Sequence, residues 1–340
     1  MNDTRPRLHR DTPLTGISFD EPELAATVSR DLQRVEELLR KELNHGEDFV
    51  NEKVIHLAAA GGKRFRPMFA VLASQLGSKA SCDDVIKAAT VVEMTHLATL
   101  YHDDVMDEAD RRRGVESANA RWGNSDAILA GDILLAHASR LMAALGTETV
   151  AHFAQTFGDL VTGQMRETVG PGDGDKIEHY LNVVHEKTGV LISSAGYLGA
   201  LHGGCSPEIT RALQQFGVYI GTIFQIVDDI IDIYSASEES GKTRGTDLRE
   251  GVFTLPVLFA LKEDSPAGEE LRGLLTGPLT SDEDVARALT LIELTSGREQ
   301  ALEVVQQFTD KAFAELTSLP DGSVRSALRS LTEYSISRVR

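Results

Sequence analysis

The chain carries two copies of one acidic pattern, in which two adjacent aspartates are followed by a third aspartate one helical turn later. The first copy runs from Asp103 to Asp107 and the second from Asp228 to Asp232. On a helix, residues four apart share a face, so each copy presents clustered carboxylates that repel one another. Oxygen ligands without a Cys or His partner favour Mg2+ over zinc. The candidate metal ligands are Asp103, Asp104, Asp107, Asp228, Asp229 and Asp232.

Basic residues follow each acidic copy. Arg111, Arg112 and Arg113 come after the first copy, and Lys242, Arg244 and Arg249 come after the second. A single acidic copy is typical of a solvated helix face, and a local Glu108–Arg112 pair would account for part of the first basic group. The recurrence of acid beside base instead indicates a metal-bound polyphosphate, in which Mg2+ bridges carboxylate and phosphate oxygens while Arg and Lys bind the remaining oxygens.

Composition limits the classes of partner. The chain has 340 residues, 41% of them hydrophobic, and its formal net charge of −18 argues against a nucleic-acid partner. Only Cys82 and Cys205 are present, which argues against a disulfide framework and favours a reducing, cytoplasmic setting. Apolar stretches of transmembrane length all contain a charge, so we expect at most peripheral membrane contact.

Helical patterns follow one another along the chain. Residues 1–20 are polar and are expected to form a mobile tail, and residues 21–340 are expected to form a single domain. Apolar residues recur at helical spacing over Leu24–Leu43, and Val85–Asp107 contains neither Gly nor Pro, which predicts one long helix with Ser81 as N-cap. Further helices are predicted over residues 119–145, 149–169, 176–202, 207–236, 251–263, 281–294, 297–317 and 323–338. Strand-like alternation is nearly absent, so the sequence predicts an all-α fold.

Six separated stretches together resemble one family, the trans-polyprenyl diphosphate synthases. They are Gly61–Pro67, Glu93–His96, Asp103–Gly114, Lys187–Thr188, Phe224–Asp229 and Gly241–Pro256. The resemblance extends from about residue 30 to the C-terminus. It implies a single large helical bundle with a central active-site cavity, of the isoprenoid synthase type, and a homodimer. It further implies two substrates, isopentenyl diphosphate and an allylic diphosphate, and a cofactor of about three Mg2+ ions per site that bridge the allylic diphosphate.

The resemblance also implies a role for individual residues. Asp103, Asp107 and Asp228 would be the principal Mg2+ ligands, with the other three aspartates binding directly, through water or through a neighbour. Contacts to the allylic diphosphate are implied for Arg112, Lys187 and Lys242, and contacts to isopentenyl diphosphate for Lys63, Arg66, His96 and Arg113. Oxygen dipoles near Thr188 and Gln225 would stabilise the carbocation. At one position the chain departs from the family: Val252 stands where a Lys often contacts the allylic diphosphate, which predicts weaker allylic binding without loss of activity.

Product length depends on the helix before the first acidic copy. Ala98 and Thr99 lie one turn before Asp103, where short-chain members of the family carry an aromatic residue that blocks the product tunnel. Deeper floor candidates are Thr95, Met94 and Val91, and the facing wall is expected around Leu134, Leu135, Ala138 and Leu141. Because none of these is aromatic, we predict a heptaprenyl to decaprenyl product, with octaprenyl or nonaprenyl favoured, for a respiratory quinone side chain.

Four alternatives compete with this interpretation. A short-chain geranylgeranyl diphosphate synthase would differ only in product size. A non-catalytic regulatory subunit that binds prenyl diphosphates typically loses one acidic motif, and a terpene cyclase usually has an Asn-Ser-Glu pattern in place of the second motif. An acidic metal-buffering protein would leave the basic residues unexplained.

Overall fold

The structure, a computed structural model, describes residues 21–234 and 244–339. The expected tail at residues 1–20 and the predicted ligand Lys242 lie outside the described residues. The helices are α1 (Pro22–Leu43), α2 (Asp48–Ala59), α3 (Phe65–Ser74), α4 (Asp83–Met106), α5 (Ala118–Trp122), α6 (Asn124–Leu145), α7 (Thr147–Val169), α8 (Lys176–Val184), α9 (Val190–Gly203), α10 (Pro207–Tyr234), α11 (Thr246–Glu250), α12 (Leu255–Lys262), α13 (Pro266–Leu274), α14 (Asp282–Glu293), α15 (Gly297–Leu316) and α16 (Ser323–Ser337). A π-helical turn (His185–Gly189) joins α8 to α9.

Strands are almost absent from the described part of the chain, where a single two-stranded hairpin pairs β1 (Arg111–Arg112) with β2 (Val115–Glu116). The predicted all-α fold is therefore confirmed. The chain divides into two compact units. The first unit comprises the described residues through Thr156 together with Leu191–Gln214 and Ser318–Ala327, and the second comprises Phe157–Val190, Gln215–Thr317 and the described residues from Leu328 onward. The first acidic copy belongs to the first unit and the second copy to the second unit. A single domain over residues 21–340 stays a prediction.

The centre of the first unit is α4, whose side chains are buried on every side of the helix. A helix that is apolar all round has no solvent face, and α1, α3 and α6 pack around this one. Helix α4 ends at Met106, where the backbone N–H of Asp107 still donates to the carbonyl of Asp103 at 2.8 Å. The first acidic copy therefore lies where a buried helix ends.

The start of α4 differs from the prediction. The N-cap is Cys82 and not Ser81, because Ser81 adopts a left-handed backbone with φ 59°. The carbonyl of Ser81 accepts a hydrogen bond from Arg34 Nη1 at 2.6 Å, which ties α1 to this turn.

Helix α6 approaches α4 closely at Gly131. A Cβ atom at this position would lie 2.3 Å from Nε2 of His102, so a larger residue would have to displace the His102 ring. The predicted helix over residues 119–145 is interrupted at Gly123, whose φ of 89° ends α5 before α6 begins. Helix α6 is long and apolar enough to cross a membrane by length and composition alone, and 33% of its most apolar stretch is buried.

The core of the second unit is formed by α10 to α14. Its fully buried side chains include Ile233 on α10, Leu248 on α11 and Val257 on α12, which pack against Leu271 and Ile292. Helix α12 also packs along α15. The predicted helix over residues 251–263 begins only at Leu255, because Gly251 adopts φ 77° and Thr254 is the N-cap of α12.

Candidate active site

A buried carboxylate, Glu93, organises the arginines of the first unit. Arg64 Nη1 donates to Glu93 Oε1 at 2.8 Å, and Arg113 Nη2 lies 3.8 Å from the same oxygen. The side chains of Arg64 and Glu93 are each only 3% exposed. The Arg64 guanidinium also donates to Glu36 on α1. Burying these charges is tolerable because they are paired and hydrogen-bonded to one another.

The loop before α3 wraps around Arg113. The guanidinium of Arg113 donates to the carbonyls of Leu57, at 3.1 Å, and Gly61. A Cβ atom on Gly62 would lie 3.0 Å from Arg113 Cζ, and the φ of Gly62 is 146°, so this position requires glycine. The glycines of the Gly61–Pro67 stretch thus allow close approach of backbone and guanidinium. Lys63, in the same loop, is exposed.

Arg66 has a buried donor without a hydrogen-bond partner among the described residues, and His96 lies near several guanidinium groups. Arg66 Nε is buried and has no hydrogen-bond partner in the described structure, and burial, opposed by Glu93, lowers the pKa of Arg66 to about 10. Burial, and then the neighbouring Arg66 and Arg113, hold the pKa of His96 well below its ordinary value. A neutral imidazole beside several guanidinium groups suits an anion such as a diphosphate.

A tight hairpin places the two predicted arginines beside the first acidic copy. Arg113 (φ 52°) and Gly114 (φ 79°) form the turn between β1 and β2, and left-handed backbone at both positions matches the twist of a two-residue hairpin. Arg112 Nε donates to Asp104 Oδ1 at 2.6 Å. Arg112 thus pairs with Asp104 and not with Glu108, the local partner that was considered as an alternative, because the hairpin turns the arginine back onto α4.

The three aspartates of the first copy have different environments. Asp104 is fully buried, and burial raises its pKa against the opposing effect of Arg112. Asp103 is partly exposed and Asp107 is exposed. Asp104 therefore holds Arg112 inside the protein, whereas Asp103 and Asp107 are accessible to a solvent cation.

The second acidic copy shows the same division. Asp229 is buried and accepts hydrogen bonds from Tyr180 Oη and, at 2.9 Å, from Gln225 Nε2. Burial raises the pKa of Asp229 to about 7, although both hydrogen bonds oppose the shift. Thr188 Oγ1 donates to Gln225 Oε1 at 3.1 Å. The structure thus brings together the predicted Thr188, Gln225 and Asp229, and adds Tyr180, which the sequence analysis missed.

Other charged residues of the second unit are engaged in ion pairs. Lys187 Nζ, in the π-helical turn, lies 2.5 Å from Glu167 Oε2. Arg338 Nη2 lies 2.7 Å from Asp228 Oδ1, although these atoms are not aligned as a hydrogen bond. π-Helical turns are rare and often mark functional sites, which agrees with the predicted role of the Lys187–Thr188 stretch.

The basic residues after the second copy serve the fold in part. Arg244 donates twice to the carbonyl of Ile233, at 2.9 and 2.6 Å, and so satisfies the C-terminal end of α10. Arg249 pairs with Asp282 at 2.7 Å. Val252 is 39% exposed and offers no charge where the family often has a Lys. Lys242, the other basic residue named after the second copy, lies outside the described residues.

The acidic residues fit a hard divalent cation by their chemistry. Among the described residues, no three His, Cys, Asp or Glu side chains are already gathered around one metal position. Clustered carboxylates repel one another without a cation, so such convergence requires the ion. Asp228 Oδ1 is a buried carboxylate oxygen without a hydrogen-bond partner, which a cation would satisfy. The Asp232 side chain accepts a long hydrogen bond, 3.4 Å, from the backbone N–H of Asp247.

The residues expected to set product length lie on helices α4 and α6 of the first unit. Ala98 is fully buried, and Thr99 donates to the carbonyl of His96 at 2.9 Å. On α6, Leu134 and Ala138 are fully buried, Leu141 is nearly so, and Leu135 is partly exposed. Helices α4 and α6 pack along each other. The buried side chains of Leu134, Ala138 and Leu141 on α6 therefore stay candidates for the wall that faces α4.

Comparison with known proteins gives matches along most of the chain. The sequence model of the polyprenyl synthetase family matches residues 47–292. A nonaprenyl diphosphate synthase of Mycobacterium tuberculosis is 51% identical over 96% of this chain and 98% of its own length. An octaprenyl diphosphate synthase of Escherichia coli is 32% identical over 92% of this chain and 97% of its own length. A crystal structure of a geranylgeranyl pyrophosphate synthase from Corynebacterium glutamicum, complexed with calcium and isoprenyl diphosphate, is 62% identical, covers 95% of this chain and 99% of that chain, and superposes with a TM-score of 0.88.

Proposed function

Since the chain belongs to the polyprenyl synthetase family, whose members are prenyl-transferring enzymes, we propose that it condenses isopentenyl diphosphate head-to-tail onto an allylic diphosphate. The product is a long all-trans polyprenyl diphosphate. The observation that carries this assignment is the pair of acidic copies, each with two accessible aspartates and one buried aspartate that holds a neighbouring side chain.

The first-unit cations bind isopentenyl diphosphate in this proposal. Arg66 and Arg113 lie near Glu93 and outweigh its single negative charge, the neutral His96 lies near both arginines, and Lys63 in the preceding loop is exposed. The unpartnered Arg66 Nε supports the assignment, because a diphosphate oxygen would satisfy it. This substrate does not ionise, so its site needs affinity and orientation more than charge stabilisation in the transition state.

The allylic diphosphate is bound by the accessible aspartates through Mg2+ and by Arg112, Lys187 and Lys242. The ligands would be Asp103, Asp107 and Asp228, joined by Asp232. When bound, Mg2+ neutralises the charge that develops on the leaving diphosphate. Arg112 and Lys187 offer further positive charge to the same group, and the oxygens of Thr188 and Gln225 offer negative dipole ends to the allylic carbon. Calcium in the similar Corynebacterium glutamicum structure supports a divalent cation here.

The product is longer than geranylgeranyl in our proposal. Ala98 and Thr99 leave the inner end of α4 without an aromatic side chain, and the relatives from Mycobacterium tuberculosis and Escherichia coli are named for nonaprenyl and octaprenyl products. The similar Corynebacterium glutamicum protein is named for a geranylgeranyl product, which makes the short-chain enzyme the second candidate. A chain of heptaprenyl to decaprenyl length suits the side chain of a respiratory quinone.

Assembly and location complete the proposal. We place the enzyme in the cytoplasm as a homodimer, with peripheral membrane contact at most. The exposed apolar side chains Ile128 and Leu129 are adjacent on α6 and support a subunit contact, because contiguous exposed apolar surface often marks an interaction site.

The test is to incubate the purified chain with farnesyl diphosphate, excess isopentenyl diphosphate and Mg2+, and to identify the dephosphorylated products by mass spectrometry. A ladder that ends at heptaprenyl to decaprenyl supports both the reaction and the long product. Products that end at geranylgeranyl support the second candidate. A folded chain that makes no product contradicts the assignment and favours a non-catalytic prenyl-diphosphate-binding subunit.

A further inference from the structure

Tyr180 is a buried tyrosine that reaches the second acidic copy from another helix. It lies on α8, is 8% exposed, and donates its hydroxyl to Asp229 Oδ2. A tyrosine hydroxyl needs a partner when buried, but a backbone carbonyl would serve as well. Its pairing with a carboxylate 49 residues away suggests a role beyond filling the core.

Three hydrogen bonds link Tyr180 to the side chains proposed to face the allylic carbon. Tyr180 donates to Asp229, Gln225 Nε2 donates to the other Asp229 oxygen at 2.9 Å, and Thr188 donates to Gln225 Oε1 at 3.1 Å. Both Asp229 oxygens are the acceptors in these contacts, one from Tyr180 and the other from Gln225. The amide nitrogen of Gln225 is therefore held toward Asp229, and its oxygen is held toward Thr188.

The direction of these three hydrogen bonds determines which end of the Gln225 amide faces a developing positive charge. If the Gln225 amide rotated by half a turn, N–H groups would replace its oxygen and would repel a cation. Preorganised dipoles stabilise a transition state because they need no reorientation during the reaction. Resting on the proposed function, we propose that Tyr180 is a positioning residue: by holding Asp229, it fixes the orientation of the Gln225 and Thr188 oxygens that stabilise the allylic cation.

Hydrogen bonding distinguishes Asp229 from the adjacent Asp228. Both carboxylate oxygens of Asp229 accept hydrogen bonds from protein side chains. Asp228, by contrast, accepts no aligned hydrogen bond from the described residues on its buried Oδ1 atom, which instead faces the Arg338 guanidinium in an ion pair at 2.7 Å that a divalent cation can replace. Asp229 therefore acts through Gln225, whereas Asp228 is suited to contact the cation.

The first test is Tyr180→Phe, which removes one oxygen and keeps the ring. We expect kcat to fall at least tenfold while the KM values of both substrates change less than twofold. Hydrolysis of farnesyl diphosphate without isopentenyl diphosphate should fall by a similar factor, because ionisation alone is then measured. The matched control is Tyr197→Phe, which removes a hydroxyl that donates to Glu148 at 3.1 Å in the first unit and should keep wild-type rates. An unchanged kcat for Tyr180→Phe, or a change confined to KM, overturns the proposal.

The second test measures cation binding in the absence of turnover. Calorimetry with Mg2+ and inorganic pyrophosphate should give Asp229→Asn a dissociation constant within about threefold of wild type, and Asp228→Asn one at least tenfold weaker. Equal weakening in both variants would make Asp229 a cation ligand and overturn the positioning role. A wild-type chain that binds Mg2+ and pyrophosphate but makes no product would overturn the proposed function itself. Wild-type turnover with an unaffected Tyr180→Phe variant would overturn only the role of Tyr180.

Discussion

At the scale of single residues, the second aspartate of each acidic copy is the one that points into the protein. Asp104 is 0% exposed and Asp229 is 5% exposed, whereas the first and last aspartates of both copies are more accessible. The helix explains the division, because neighbouring residues lie about 100° apart while residues four apart share a face. Each copy can therefore offer two carboxylates to a cation and use the third to hold a neighbouring side chain.

This division predicts a specific effect of Asp104→Asn. The variant keeps a hydrogen-bond acceptor for Arg112 but loses the charge, and charged hydrogen bonds exceed neutral ones by about 1 kcal/mol. We expect the KM of farnesyl diphosphate to rise about five- to tenfold because Arg112 is held less firmly. Steady-state kinetics with varied farnesyl diphosphate measures the effect.

Two further variants control this experiment. Asp103→Asn should instead raise the Mg2+ concentration needed for half-maximal rate, and Asp104→Asn should leave it nearly unchanged. In the Arg112→Gln background, Asp104→Asn should add little, since its effect passes through the arginine. An additive double variant would contradict this link between Asp104 and Arg112.

Residue types and spacings in the sequence identified both acidic copies, and the family resemblance supplied the candidate cations, but neither indicated which side chains they pair with. Tyr180 and Asp229 are 49 residues apart, and Arg64 and Glu93 are 29 apart. Contacts between residues so distant in sequence follow from packing, and no local pattern encodes them. Glu93 stood inside a recognised stretch, yet only the structure shows that it holds Arg64.

At the scale of elements, apolar periodicity and long runs without Gly or Pro predicted most of the long helices, and several shorter helices were missed. The stripe over Leu24–Leu43 corresponds to α1, and the long Gly- and Pro-free run corresponds to α4. Helix α3 was not predicted, since it is buried from Pro67 onward and has no polar face to create a period. Helices α2 and α13 were also missed; α13 is short, with nine residues.

The buried position of Ala98 on α4 predicts the effect of Ala98→Phe. Since Ala98 is fully enclosed and α4 packs along α6, an added ring would fill the space that a long product needs. We expect the product to shorten to about three or four prenyl units, because each unit is about as long as one helical turn, ~5 Å. Mass spectrometry of the products measures this length. The same substitution at Ala314, exposed on α15, is the control, and an unchanged product from Ala98→Phe would show that the tunnel runs elsewhere.

A partly buried histidine on α7, in contact with α9, predicts acid sensitivity in the first unit. His152 Nε2 lies 3.0 Å from Ser194 Oγ, and its ring stacks on Tyr197 with centroids 4.0 Å apart. Burial, opposed by Glu148, lowers the pKa of His152 to about 4 from 6.5. The unfolded chain therefore binds this proton more readily, and stability present above pH 6.5 is lost as the pH falls toward 4.

We expect His152→Gln to lose less stability than wild type between pH 7 and pH 5. Between pH 7 and pH 5, the Tm of wild type should fall about 4 °C more than the Tm of the variant. The reason is that only wild type takes up a proton on this ring when it unfolds. Thermal unfolding followed by circular dichroism at both pH values provides the measurement. His45→Gln, at an exposed position, should behave like wild type. Parallel pH profiles for wild type and His152→Gln would rule out this source of acid sensitivity.

At the scale of the whole molecule, strong net negative charge coexists with local positive charge. The formal net charge is −18, yet Arg64, Arg66 and Arg113 lie around a single buried glutamate. Composition alone therefore argued against nucleic acid as a partner but gave no indication of an anion site. Anionic substrates depend on these local groups and on the cation, because the average field of the protein repels them.

The exposed apolar side chains of α6 lead to a prediction about assembly. Ile128 is 43% exposed and Leu129 57% exposed, while Asp132 and Arg140 on the same helix are also exposed. Exposed charges of both signs disfavour contact with lipid chains, so we expect a second copy of the chain to cover this face. In a two-fold dimer each contact occurs twice, and burying two leucines contributes about 3 kcal/mol or more.

Leu129→Glu should therefore raise the dimer dissociation constant at least about a hundredfold, because the contact is lost twice and a carboxylate is buried in its place. Sedimentation velocity over a range of concentrations measures the change. Met165→Glu is the matched control: this side chain is 63% exposed on α7 in the second unit, and the variant should stay dimeric. A wild-type chain that sediments as a monomer would contradict the homodimer, and a Leu129→Glu variant that dimerises as tightly as wild type would place the subunit contact on a different surface.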